Sequence, residues 1–210
     1  MITEERILEN KQQFLNLVNS IQRDGMNKER LIAQLEGSDF FEAPASTVYH
    51  NCFSGGLCAH SLNVYDNLCK LVDMYSPDTY SNDSLAIVAL LHDLGKVNFY
   101  EKTIRNVKVY SDKGKKSDEM GSYDWRAEEC WKVKDVEDRF TVGTHGENSY
   151  FQIKRFVPLN LDESIAIIHH HAGMDKESEI RDMSAILKKS TLLTLLHIAD
   201  MLATYVIENE

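Results

Sequence analysis

Apolar side chains recur at helical spacing along most of the chain, and the pattern predicts a succession of helices. From residue 3 to 22, Ile7, Phe14, Leu15, Val18 and Ile21 share one face, and a shorter helix from Lys28 to Glu36 stops at Gly37. Neither stripe carries an ionisable residue, so both helices are expected to serve packing. A third helix runs from Leu57 to about Tyr75, with Leu57, Val64, Leu68, Leu71 and Tyr75 on its buried side. Ser84 to Lys96, SLAIVALLHDLGK, is apolar almost all round, as is Thr191 to Val206; helices of that kind are normally buried. Two more are expected. One opens at Thr144 to Glu147 and buries Tyr150, Ile153, Phe156 and Val157, and the other spans Asp162 to His171 with Leu161, Ile165, Ile168 and Ala172 marking its inner side.

The pattern breaks twice. Residues 38–56 interleave turn formers with Phe40, Phe41, Tyr49 and Phe53, which predicts an ordered loop. Between residues 97 and 142, Thr103 to Tyr110 and Trp125 to Lys134 alternate and are rich in β-formers, while the polar stretch between them is expected to be mobile. The expectation is an all-α fold, a helical bundle with a small β-hairpin insertion, forming a single domain over residues 1–210.

A length of 210 residues, 43% hydrophobic and 27% charged, suffices for a sizeable core. The chain lacks an 18-residue apolar run and opens on the polar, acidic Met1-Ile-Thr-Glu-Glu-Arg, so a cytoplasmic protein with no membrane partner is expected. A net charge of −10 disfavours a broad nucleic-acid-binding surface. Within that acidic chain Lys102, Arg105, Lys108, Lys113, Lys115 and Lys116 concentrate positive charge, either as a solvated face or as a guide for phosphate groups. Cys52, Cys58, Cys69 and Cys130 show no C-x-x-C spacing, which argues for reduced thiols.

The chemistry is carried by polar exceptions on apolar helices. His92 and Asp93 follow Leu90 and Leu91 without a break, one turn beyond Val88 and Ala89, so both point inward. A buried carboxylate must be paired or bound to a cation. A metal site and a simple His-Asp hydrogen bond at a helix end both satisfy that requirement. His60 falls inside the stripe of the third helix, and Asp200 repeats the buried-carboxylate argument in the last one. His197 beside it has a supporting or core role. His145 sits at a helix N-terminus, where the dipole keeps imidazole neutral and available; Glu147 is either its partner or a first-turn acid. Of His169, His170 and His171, the helical angles place His169 and His171 beside the stripe and His170 nearly opposite it.

Taken together, His60, His92-Asp93, His145, His171 and Asp200 resemble the H…HD…H…H…D pattern of the HD-domain superfamily of metal-dependent phosphohydrolases. The stretches YHNCFSGGLCAHSLNVY, LLHDLGKVNFY, THGENS, IIHHHAG and LHIADMLAT look like those of bacterial and prophage HD-family hydrolases. The resemblance covers about residues 48–205, with 1–37 as added packing helices and 97–142 as the hairpin insert. It implies one metal on His60, His92, Asp93 and Asp200, and a second on His145 and His171 with Asp93 bridging. Two divalent transition ions are expected, of iron, manganese, nickel, cobalt or zinc. Lys96, after the HD pair, is expected to face the site and act with Asp93 in catalysis. His50, Glu147, His169, His170 and His197 are candidates for substrate contact or support. The activity implied is hydrolysis of a phosphoester or phosphoanhydride in a small nucleotide-type substrate. A di-iron oxygenase on the same fold and a non-catalytic nucleotide-binding regulatory domain are the alternatives.

Overall fold

The computed structural model describes residues 3–171 and 183–208. Two helices, α1 (Glu4–Ser20) and α2 (Lys28–Glu36), open the chain, capped by the side chains of Thr3 and Asn27. They bury Phe14, Val18, Leu31 and Leu35 completely, as packing helices should. Phe40 and Phe41 of the following loop close against Phe14, the first tilted and the second edge-on, with ring centroids 4.9 and 5.7 Å away. That half of the aromatic loop is core, whereas Tyr49 stands exposed on its other half.

The bundle centre is α3 (Gly56–Tyr75), which packs on α4 (Asn82–Leu91) and α8 (Thr191–Leu202). After α4 a single 3-10 turn, Leu94–Lys96, leads into the insert. There β1 (Tyr100–Tyr110) and β3 (Gly121–Val133) pair antiparallel from Tyr100↔Val133 to Tyr110↔Tyr123. The stretch between them is not plain loop, because β2 (Lys116–Asp118) adds a third short strand on the far edge of β3. Tyr100 and Trp131 root the ribbon in the core; its outer half exposes Ile104, Val109, Met120 and Trp125.

Beyond the ribbon come α5 (His145–Ile153), α6 (Leu161–His169) and α7 (Met183–Lys189). The last apolar helix does not run on to Val206. α8 ends at Leu202, and a π turn, Ala203–Ile207, follows. A buried polar rivet joins three segments. Glu163 at the start of α6 accepts from Arg23 (Nη1, 3.0 Å), from Ser84 on α4 (2.7 Å) and from the backbone of Asn160 (2.9 Å). Among the described residues no helix is long and apolar enough to cross a membrane.

The stripe read for α6 needs correction. Leu161 is 77% exposed, and the buried residues are Glu163, Ala166, Ile167 and then His170. A buried glutamate hid the true face, since burial follows its partner Arg23 rather than its own polarity. Ala172, invoked for the same stripe, lies outside the described residues.

Candidate metal centre

Every residue of α4 from Ser84 to Leu91 is buried, so the chain leaves this helix inside the protein. His92 is wholly inaccessible and Asp93 1% exposed. The His92 ring donates Nδ1–H to the Ala89 carbonyl at 2.8 Å, which leaves Nε2 3.6 Å from Asp93 Oδ2. His170, just past α6, repeats the device: Nδ1–H donates to the Ile167 carbonyl at 2.7 Å, and Nε2 lies 3.5 Å from Asp93 Oδ1. A carbonyl only accepts, so both rings carry their proton on Nδ1 and turn a lone pair toward Asp93. Neither Nε2 has a hydrogen-bond partner, although both are buried. Buried polar atoms are normally satisfied, and two orphaned lone pairs around one carboxylate are what a cation would complete.

The helical-angle argument that turned His170 away from the others is therefore overturned. It followed from the misread α6 stripe. His171 remains close, stacked on His145 at 5.0 Å between centroids and edge-on to His170 at 4.3 Å. Asp93, His145, His170 and His171 each bring a donor atom within 4.8 Å of the others. His169 lies outside every such group among the described residues.

His145 reaches Asp93 because α5 starts in contact with the end of α6. Gly146 makes this possible: a Cβ there would lie 2.1 Å from the Ile168 carbonyl oxygen. Glu147 is not directed to the centre. It closes a capping box with Thr144, accepting the Thr144 N–H at 2.7 Å while Thr144 Oγ1 accepts from Glu147. His145 Nε2 is 2.5 Å from Asp93 Oδ1.

On the opposite side α3 and α8 bring His60 Nε2 to 3.2 Å from Asp200 Oδ1 and 3.7 Å from Asp93 Oδ2. His60, His92 and Asp200 form a second donor group. Glu208, which sequence reasoning missed, sits behind His60 with both carboxylate oxygens 3.1 Å from Nδ1. Nothing in the local pattern marks it, because the π turn decides where it lands. His50 joins this side, its ring 4.9 Å from that of His60 and its two buried nitrogens without hydrogen-bond partners. His197 supports the other side, donating Nδ1–H to the His170 carbonyl at 2.7 Å.

A model of the HD-domain family matches residues 57–205. The chain belongs to the HD-domain family. That family is one of metal-dependent phosphohydrolases. The matched stretch includes the two donor groups around Asp93, whereas a third, of His50, His60 and Glu208, reaches beyond it at both ends. No curated protein and no solved structure gives a significant match.

The electrostatics of this HD centre differ from ring to ring. Burial opposes the Asp93 charge, yet Lys96, His92 and His145 hold its carboxyl well below the usual carboxylate range. Lys96 Nζ donates to Asp93 Oδ2 at 2.7 Å, and Asp93 raises the ammonium above its ordinary value against the cost of burial. Burial also opposes charge on His60, but Asp200 and Glu208 outweigh it and push the ring up to about 10. His92 is pushed down to about 4 by burial. Burial thus favours the neutral rings of His92 and His145, whereas Asp200 and Glu208 favour charge on His60, and this mixed imidazole and carboxylate set suits borderline divalent ions. A cleft of about 410 Å³ opens over it, lined by Tyr49, His50, Lys96, Tyr100, Met201 and Tyr205 among others.

Proposed function

We propose that this HD-domain chain hydrolyses a phosphoester or phosphoanhydride bond of a small nucleotide-type substrate, with two divalent transition ions held around Asp93. The observation that carries the reading is the pair of orphaned Nε2 lone pairs of His92 and His170 on the two sides of that carboxylate. His60, His92, Asp93 and Asp200 would hold one ion. His145, His170 and His171 would hold the other, with Asp93 shared.

Bound there, such ions supply an acidified water and charge compensation for phosphate oxygens. The chain's own groups do the rest. The Ala89 and Ile167 carbonyls lock the tautomers of His92 and His170, so the donor atoms are oriented before any ligand arrives. Lys96 holds Asp93 in place and provides a fixed positive charge on the cleft wall, where a phosphate oxygen approaches. Tyr49, 80% exposed, and Tyr205, 54% exposed, offer aromatic faces for a base at the same opening. The cleft volume suits a mononucleotide better than a folded polymer.

The test is metal-dependent phosphate release from a panel of nucleoside mono-, di- and triphosphates, with metal content measured in parallel. Activity that appears with manganese or iron and is lost in Asp93→Ala supports the reading. In His145→Ala one ion should go and the other stay. Binding of nucleotides without turnover under every metal would replace it with the regulatory-domain reading. Oxygen consumption with an organic substrate, lost when manganese replaces iron, would replace it with the oxygenase.

A further inference from the structure

His60 is held from behind by a residue 148 positions away. Glu208 is 8% exposed, and its two oxygens lie at an equal 3.1 Å from His60 Nδ1. Asn63, one turn along α3, donates its amide to Glu208 Oε1 at 2.8 Å. The carboxylate reaches this position from the π turn, which Glu208 closes by donating its backbone N–H to the Ala203 carbonyl at 2.9 Å. Wide turns of this kind recur at functional sites.

We propose that Glu208 is a positioning residue for the metal centre: it keeps a proton on His60 Nδ1 and so turns Nε2 toward Asp200 and Asp93, where an ion would take it. The inference rests on the reading of His60 as a metal ligand. A carboxylate accepts and cannot donate, so the proton between the two groups belongs to Nδ1; Nε2, 3.2 Å from Asp200 Oδ1, would give up any proton it carries when an ion binds. His92 and His170 take the same orientation from helix carbonyls of their own segments. His60 lies inside α3, where the nearby carbonyls are engaged in the helix, so its orienting acceptor has to come from elsewhere in the fold. The segment after α8 supplies it. Metal affinity and docking of residues 203–208 on α3 are thereby coupled, because each is favoured by the other.

The experiment is a manganese titration by calorimetry on the metal-free full chain, comparing wild type with Glu208→Ala, Glu208→Gln and His60→Ala. Loss of an outer carboxylate partner typically costs about 10–100-fold in metal affinity, and Glu208→Ala should fall in that range. Glu208→Gln, which keeps an accepting oxygen, should recover part of the loss. Wild-type affinity in Glu208→Ala together with a loss in His60→Ala overturns the positioning role. Unchanged affinity in His60→Ala overturns instead the ligand assignment beneath it. A measurement free of substitutions guards against a variant that fails to fold. Nitrogen-15 spectra of the zinc-loaded wild type should show His60 protonated on Nδ1, and protonation on Nε2 overturns the proposal.

Discussion

His170 places its Nε2 atom 3.5 Å from Asp93 Oδ1, across 77 residues of sequence, with its other nitrogen tied to the Ile167 carbonyl. Its neighbour His169 shares no donor group with Asp93. The two histidines are adjacent in the chain and should behave oppositely. His170→Ala is expected to weaken binding of an ion by more than the roughly 10–100-fold typical of an outer partner, while His169→Ala leaves it unchanged. Elemental analysis and manganese titration of the two variants check this, and equal metal content in both would count against the site as drawn.

Gly146 tests how closely α5 must approach α6. A Cβ at this position would meet the Ile168 carbonyl oxygen at 2.1 Å and the Ile167 carbonyl oxygen at 2.8 Å, both backbone atoms that cannot swing away. Gly146→Ala should cost about 1–3 kcal/mol in overpacking and draw His145 away from Asp93. The expected result is a lowered unfolding midpoint together with reduced occupancy of the ion near His145.

The Arg23–Glu163 rivet predicts a pH dependence of stability. Burial works against the Glu163 charge, but the hydrogen bonds from Arg23, Asn160 and Ser84 outweigh it and hold the carboxyl below its ordinary value. A carboxyl depressed on folding contributes stability above its unfolded pKa, about 4.3, and that contribution is lost as pH falls through the folded value. Glu163→Gln should therefore destabilise by about 1.5–3 kcal/mol at pH 7, the range for hydrogen bonds to a charged group. The difference from wild type should shrink below about pH 4. Urea unfolding of both proteins across that range measures it.

The outer ribbon should be dispensable for folding. Arg105 and Glu128 are directly opposed, as are Ile104 and Glu129, so an Asn-Gly turn can join Ile104 to Glu129 in register. Tyr100 and Trp131, the residues that pack on the core, are retained. Deletion of residues 105–128 across that turn should leave the helical circular dichroism signal and metal content unchanged. A collapse of the helical fold would show that the ribbon stabilises more than it touches.

Much of this protein was legible before the structure. Periodicity marked α1 to α6 and α8, and the unbroken apolar run into His92-Asp93 marked the centre, because a buried ionisable pair needs compensation wherever the chain goes afterwards. His60 was legible for a related reason, being a polar residue inside an apolar stripe. The face of α6 was not, since Glu163 is buried only by virtue of Arg23, 140 residues away, and this error turned His170 the wrong way. Glu147 was ambiguous until the backbone of Thr144 claimed it. Glu208 had no local signal at all. Local sequence determined which helices form and which carried charge into the core, because helix periodicity and the cost of burying charge act within a few turns. Only the tertiary structure decided which lone pairs converge on Asp93 and which carboxylate stands behind His60, because those contacts depend on how helices far apart in the chain pack together.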